Sequence, residues 1–566
     1  MKEFIRRLKA RPGLAIELIV ASLFVNVLGL AIPLFVIQVL NRYVAHGVDA
    51  TLATLATGAL IAVFLEFGFR QVRIRLARAI NVRHDAELSA AAFKILTNAR
   101  IAAIERLSPA QRREVLSGSD SIAAAYNANN MTAVIDVPFA LLFIFVLSML
   151  APSLAGVVFA FVSFAFISGV TLTGVLRAPT QQLSQETRSG TMLMGTAIQD
   201  TDTIRAFNAG GFLRRAWDLQ ATAIRALQRR IVNLQGLMMS TTQGLTGVQS
   251  IAIYSTGALL IVHGHLDVGA LIGANILGSR ALQPVARFAQ MGEAFAKARQ
   301  SLAQLREFMN LPQEPESGSV KRSFSGDIEF RDIGFAFPGA SSPLFESLSV
   351  HLPPGSTLVV SGGNGTGKTT LARLLTGIIE PSRGQFLIDG LELRQTQPGW
   401  WRRQIIYLPQ EPTFLNATIE ENLSVLNPEI TPEEMGRAIE AAGVRQFLDE
   451  SPKGLGSMIA GNGQQLALGI RRRLALARAL TTDGMVAIFD EPTEGMDMEG
   501  AAAIYRVMND LHKRGRTIIA FSHDPNIVKG AQFFIDLNAK PVPRVGKAPQ
   551  PVTTERPVGQ AERIAT

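Results

Sequence analysis

The chain has 566 residues, too many for a single hydrophobic core, so at least two domains are expected. Hydrophobic residues make up 48% and charged residues only 18%, a balance that places part of the chain in lipid. The absence of cysteine excludes disulfides, thiolate metal sites and a cysteine nucleophile. The net charge of +9 fits either nucleic acid or basic loops beside membrane helices, and its distribution favours the loops.

Lys2, Arg6, Arg7, Lys9 and Arg11 make a positive start. No small-residue cleavage site closes the apolar run that follows, so it reads as a first transmembrane helix rather than a signal peptide. Residues 18–40 carry no charge, and residues 51–65 are apolar up to Glu66. Residues 131–151 contain only Asp136; residues 154–176 and 236–262 contain no charge; residues 268–282 are broken by Arg280. Spanning takes roughly 20 apolar residues, which predicts about six spans. Asp136, Gln38 and Asn26 sit in this apolar setting, where the plain explanation is helix–helix hydrogen bonding or interface placement, the preferred reading for Asn26. The stretches 70–113 and 177–230 are rich in arginine, whereas 152–153 and 263–267 have no Lys or Arg. The positive-inside rule then predicts a multi-pass membrane protein with both termini cytoplasmic. The basic stretches read as helices that continue the spans into the cytoplasm.

Residues 311–319 have linker composition, and strands then alternate with helices as in an α/β domain. The expected organisation is a membrane all-α domain over 1–311, a linker over 312–326, an α/β P-loop NTPase domain over 327–540 and a disordered tail over 541–566.

The apolar strand run 357–361 leads into Gly362, Gly363, Asn364, Gly365, Thr366, Gly367, Lys368, Thr369 and Thr370, followed by a helical pattern. This is G-x-x-x-x-G-K-T between a strand and a helix, the context that marks a P-loop. The glycines let backbone N–H groups cradle phosphates at a helix N-terminus. Lys368 is expected to reach the β- and γ-phosphates of ATP and Thr369 to ligate Mg²⁺. A second apolar run, 486–489, ends in Asp490 and Glu491. Asp490 suits a Mg²⁺-holding role, and Glu491 suits a general base that polarises the attacking water.

With these motifs the second half resembles the ATPase of ABC transporters. The resemblance implies that Gln410, in Tyr407-Leu408-Pro409-Gln410, contacts nucleotide-bound Mg²⁺ and senses the membrane domain. It implies that His523 is the switch histidine at the γ-phosphate, that Gly495-Met496-Asp497 is the D-loop, and that Phe337 stacks on adenine in place of the usual Tyr. One motif departs. The signature LSGGQ reads Leu466, Ala467, Leu468, Gly469, Ile470, and of its last four positions only Gly469 is kept. Ala467 lacks the hydroxyl that would bond the γ-phosphate, and Leu468 places a side chain where backbone should approach it. Gly461 also replaces the Glu of the coupling loop at 457–463. In the family each ATP is sandwiched between one subunit's P-loop and the other's signature. A homodimer would therefore have two impaired sites, and a heterodimer with an intact partner would have one complete site.

Residues 33–42 resemble the first-helix signature of type I secretion ATPases. Residues 135–143 are similar to their D-x-P-W-x-x-x-F third-helix entry, with Asp136, Pro138 and Phe139 for Trp. The resemblance implies a short form without an N-terminal peptidase-like domain. It would secrete a polypeptide with a periplasmic adaptor and an outer-membrane duct protein. Export of a lipid or small molecule, or an ATP-binding half of a heterodimeric transporter, are the alternatives. Membrane lipid is a further expected partner, and nucleic acid is not expected.

Overall fold

A computed structural model describes residues 2–44, 47 and 49–547 of the chain, in two compact units. The first comprises residues up to 99 and 103–312; the second comprises 100–102 and the residues from 313 onward.

The first unit is all helical. A short helix α1 (Lys2–Ala10) precedes α2 (Pro12–Leu28) and α3 (Ala31–Gln38). The break between α2 and α3 has a local cause, because Pro33 has no N–H to give the carbonyl of Gly29. Next come α4 (Asp49–Asn98), α5 (Pro109–Ala125), α6 (Ala128–Asp136) and α7 (Ala140–Leu150). The unit closes with α8 (Pro152–Gln199), α9 (Gly210–Val262), α10 (Val268–Gln290) and α11 (Gly292–Met309). Ser108 starts α5 with a reciprocal capping box to Gln111. The helices α4, α8 and α9 have 50, 48 and 53 residues. At 1.5 Å per residue each is roughly 70–80 Å long, far more than the ~30 Å hydrocarbon core, so each projects beyond a bilayer. This agrees with the reading of the basic stretches as continuing helices.

Among the described residues, five helical stretches are long and apolar enough to cross a membrane: Pro12–Tyr43, Asp49–Asn98, Ala128–Leu150, Pro152–Gln199 and Gly210–Val262. The sixth expected span, α10, is not among them. It is the central helix of the bundle, packed on α3, α7, α8 and α9, with Leu271, Ala274, Leu277, Gly278 and Ala281 buried. Small residues allow this closeness: a Cβ on Gly273 would come within 2.4 Å of Ile37.

Asp136 is a buried hub at the end of α6. It accepts from Arg73 Nη1 of α4 at 2.7 Å and from Asn26 Nδ2 of α2 at 3.0 Å. Three helices distant in sequence are thereby joined, and the helix–helix reading of Asp136 and Asn26 holds. A second buried cation, Arg7 of α1, donates to Asn81 at 3.0 Å and Asp85 at 2.7 Å and lies over the Tyr126 ring.

The second unit carries two sheets. An antiparallel sheet has the order β2-β1-β4-β5, from β1 (Ile328–Phe335), β2 (Phe345–Leu352), β4 (Arg383–Ile388) and β5 (Leu391–Glu392). The larger sheet has the order β10-β9-β3-β8-β7-β6. Its strands are β3 (Thr357–Ser361), β6 (Ile405–Leu408), β7 (Val486–Asp490), β8 (Thr517–Phe521), β9 (Phe533–Asp536) and β10 (Arg544–Lys547). All its pairings are parallel except β10 with β9. Alternate residues feed two cores. Val360, Ile488 and Phe521 enter one, and Val359, Ala487 and Ala520 enter the other, so the central strands read as continuous apolar runs.

Two boundaries are corrected. The expected linker 312–326 is packed in part: Phe324 is buried with its ring edge-on to Trp401, 5.6 Å away. Its small and polar neighbours carry the linker composition, and one aromatic outweighs them. Within the expected tail 541–566, Arg544–Lys547 form β10 against β9. Residues 548–566 lie outside the described residues.

The buried charge at Asp136 makes a testable statement about stability. Asp136→Ala leaves Arg73 unpaired and is expected to destabilise the chain by about 3–5 kcal/mol. The double change Arg73→Met with Asp136→Leu is expected to recover most of that loss. Thermal unfolding of the detergent-purified protein measures both; a double variant no better than Asp136→Ala would show that charge pairing is not what these residues supply.

Candidate functional site

The parallel sheet assembles the site. Strands β3, β8, β7 and β6 are neighbours, with Val360 level with Phe521, Asp490 level with Phe521, and Leu408 level with Phe489. Residues 362–367 therefore follow β3, His523 follows β8, Asp490 and Glu491 close β7, and Gln410 follows β6, all at the carboxyl edge.

The loop after β3 wraps the first turn of α12 (Lys368–Leu375). Gly365 and Gly367 have φ of +78° and +107°, in the left-handed region. Any side chain on Gly367 would strike Leu344 at 2.7 Å. Thr366 Oγ1 donates to Gly363 O at 2.8 Å and closes the turn. Asn364 and Gly365 form its exposed crest, while Gly362 is buried behind it. Thr370 lies within α12 beside Thr369. The first-turn N–H groups of α12 have no intrahelical partners and point into the loop, a ready anion cradle.

Lys368 is the centre of a tight cluster. Its Nζ donates to Gly362 O at 2.5 Å and to His523 Nε2 at 3.1 Å, and it pairs with Glu491 Oε1 at 3.0 Å. An ammonium only donates, so Nε2 of His523 accepts and Nδ1 carries the proton, donated to Ser361 Oγ at 3.1 Å. All three residues expected to be catalytic are thus brought together.

The three residues expected to hold metal also converge. Thr369 Oγ1 donates to Gln410 Oε1 at 3.2 Å. Asp490 is 1% exposed, and neither carboxylate oxygen has a hydrogen-bond partner. Burial pushes its carboxyl up to about 6; the nearby Thr369 hydroxyl offsets part of this, and Glu491 adds to it. A buried, orphaned carboxylate beside a hydroxyl and an amide oxygen presents an all-oxygen donor set that suits a hard divalent cation.

Phe337 lies in the loop after β1, half exposed, with its ring edge-on to Phe335 at 5.1 Å. The altered signature opens α13 (Leu468–Ala479). Ala467 is its N-cap and makes no side-chain cap bond. Leu468 is 39% exposed and lies over Gly495, where an added Cβ would come within 3.0 Å of its Cδ2. Asp497 caps the next helix, accepting from Gly500 N at 2.8 Å and from Arg473 at 2.7 Å.

Two further residues join the site. Glu494 accepts from Gln410 Nε2 at 3.1 Å, and Asn538 accepts from Gly363 N at 2.9 Å. Glu494 could have been suspected from its place three residues after Glu491. Asn538 follows β9 and has no sequence signal; only strand order brings it to the loop.

Comparison with known proteins agrees with this geometry. Residues 345–494 match the ABC transporter family, and residues 15–280 match the ABC transporter transmembrane region. The chain is 27% identical to the "Toxin RTX-I translocation ATP-binding protein" of Actinobacillus pleuropneumoniae, over 94% of this chain and 75% of that protein. It is 28% identical to the "Alpha-hemolysin translocation ATP-binding protein HlyB" of Escherichia coli, with the same coverage. Among solved structures, a bacterial Atm1-family ABC exporter with ATP bound superposes with a TM-score of 0.81 at 19% identity, covering 94% of each chain. The P-loop, Gln410, Asp490, Glu491 and Glu494 fall inside the matched ATPase segment, and Phe337, Asp497 and His523 fall outside it. A membrane domain and an ATPase domain in one chain, with exporter relatives along nearly its whole length, establish that this multi-pass membrane protein belongs to the ABC transporter family, as an exporter whose ATPase is coupled to transport.

Proposed function

We propose that this exporter secretes a polypeptide across the inner membrane by type I secretion, in series with a periplasmic adaptor and an outer-membrane duct. The observation that carries the reading is the match to toxin and hemolysin translocators across 94% of the chain. The Asp136–Pro138–Phe139 entry to the third span, rooted in the buried Arg73 pair, supports it. Both termini lie in the cytoplasm, on the side of the arginine-rich stretches.

Two such chains, or this chain and a related half, work as a dimer. The uncapped Ala467 and the Leu468 side chain over Gly495 favour a partner with an intact signature, because this loop offers no hydroxyl to a phosphate.

In the proposed cycle, ATP enters the cradle of residues 362–367 and Lys368 turns from Gly362 O, Glu491 and His523 to the phosphates. Phe337 offers its exposed ring face to the adenine. Glu491 takes the proton of the attacking water as its oxygen bonds to the γ-phosphorus and the bond to the β-phosphate oxygen breaks. His523, held by Ser361, orients toward the γ-phosphate. Thr369, Gln410 and Asp490 would hold Mg²⁺, whose chemistry is to neutralise phosphate charge. The orphaned Asp490 oxygens are the observation that fits them to it.

Three measurements test this. Crosslinking in native membranes, purification of the chain and mass spectrometry of its companions is expected to recover a periplasmic adaptor; recovery of this chain alone would point to a lipid or small-molecule exporter. A second ABC half among the companions would account for the altered signature. Glu491→Gln is expected to bind ATP normally while turnover falls about 10²–10⁴-fold in an ATPase assay. Asp490 has a folded-state acidity weaker than its unfolded value, so its stabilising share is full below about pH 4 and is lost as pH rises through about 6. Asp490→Asn removes that cost, up to roughly 3 kcal/mol above pH 6. In EDTA without nucleotide, the variant is therefore expected to melt higher than wild type at pH 7.5, and the gap is expected to shrink by pH 5.

A further inference from the structure

Arg472 lies in the first turns of α13, just after the altered loop, and is 4% exposed. Its Nη2 donates to the backbone carbonyl of Gln410 at 3.1 Å, and its Nη1 donates to the backbone carbonyl of Glu491 at 3.2 Å. The Glu494 carboxylate, which itself accepts from the Gln410 amide, lies 3.7 Å from Nη2. One guanidinium thus joins the loop after β6 to the loop after β7. Only a planar fork with divergent donors serves two carbonyls on separate loops; an ammonium reaches them as a point charge.

The Glu491 backbone needs such support. Its φ is +46°, in the left-handed region that a non-glycine residue enters only under strain. Such a conformation persists only where its surroundings over-determine it. Three bonds do so here: Glu491 N donates to Phe521 O at 2.8 Å, and Glu491 O accepts from Arg472 and from Glu494 N, the latter at 3.3 Å. Gln410 is held in the same way, by Arg472 at its carbonyl and by Thr369 and Glu494 at its side chain.

We infer that Arg472 is a positioning residue that makes Gln410 and Glu491 move as one unit with α13, setting the carboxylate of the base relative to the metal-side glutamine. The inference rests on Glu491 being the base. A purely structural arginine would lose stability and activity together when replaced; a positioning arginine loses turnover while nucleotide binding is retained.

The test uses the full-length transporter in lipid nanodiscs with Arg472→Gln and Arg472→Lys, each alone and combined with Glu491→Gln. ATPase kcat and KM, single-turnover rates and the thermal midpoint are measured. Arg472→Gln is expected to lower kcat about tenfold or more while KM changes less than about threefold. Arg472→Lys is expected to recover part of kcat, and neither is expected to lower the residual single-turnover rate of Glu491→Gln further. An unchanged kcat, a kcat loss that follows the thermal midpoint, or a loss that adds in full to that of Glu491→Gln overturns the inference. If Arg472→Gln does not fold, Arg472→Lys is judged by the same criteria. Wild-type turnover by Glu491→Gln alone overturns the base assignment and this inference with it. A silent Arg472→Gln beside an inactive Glu491→Gln overturns the inference alone.

Discussion

A row of parallel strands is the constraint on which the ATPase unit depends. Loops after residues 361, 408, 490 and 521 are far apart in the chain, yet β3, β8, β7 and β6 pair as neighbours in a common direction. Every following loop therefore leaves from one edge, and Lys368, His523, Glu491 and Gln410 come within hydrogen-bonding reach of one another or of shared partners. Parallel pairing requires both faces of the sheet to be covered, and the alternation of residues between two apolar cores supplies that cover. Site and core are consequences of one arrangement.

That arrangement keeps a charge where water cannot reach it. Asp490 is buried at the end of β7, level with Phe521 of β8, with only the Thr369 hydroxyl near its otherwise unpartnered oxygens. The nucleotide-free domain thus carries a burial cost at this carboxyl that an apolar side chain would not have. The membrane unit treats its buried charges oppositely. Asp136 is answered by Arg73 and Asn26, and Arg7 is answered by Asn81 and Asp85. Paired charges define which helices meet, whereas the Asp490 carboxylate is left without a partner beside the phosphate loop.

Helix α13 carries both the least and the most ordinary parts of the ATPase. Its N-terminus has lost the hydroxyl and the close backbone approach expected of a phosphate contact. Its next turns hold the site through Arg472 and the following helix through Arg473 and Asp497. Loss of the loop's chemistry without loss of the helix's contacts is consistent with a protein that keeps its own catalytic centre while relying on another chain for the opposing surface.

The sequence by itself determined the two-part organisation, the P-loop, the paired carboxylates after β7 and most of the spans. Each of these is a local property: apolar run length, glycine spacing, or a strand ending in charge. It also offered helix–helix hydrogen bonding as the plain reading of Asp136, beside its place in a third-helix motif. Only the tertiary structure decided the rest. Strand order brought Asn538 to the phosphate loop, packing drew Phe324 from an apparent linker to Trp401, and pairing made β10 from an apparent tail. The role of α10 as the bundle's centre, and of Arg472 as the tie between Gln410 and Glu491, likewise depends on partners far along the chain. Local sequence reports what a segment can do, and partners remote in the chain report what it is used for.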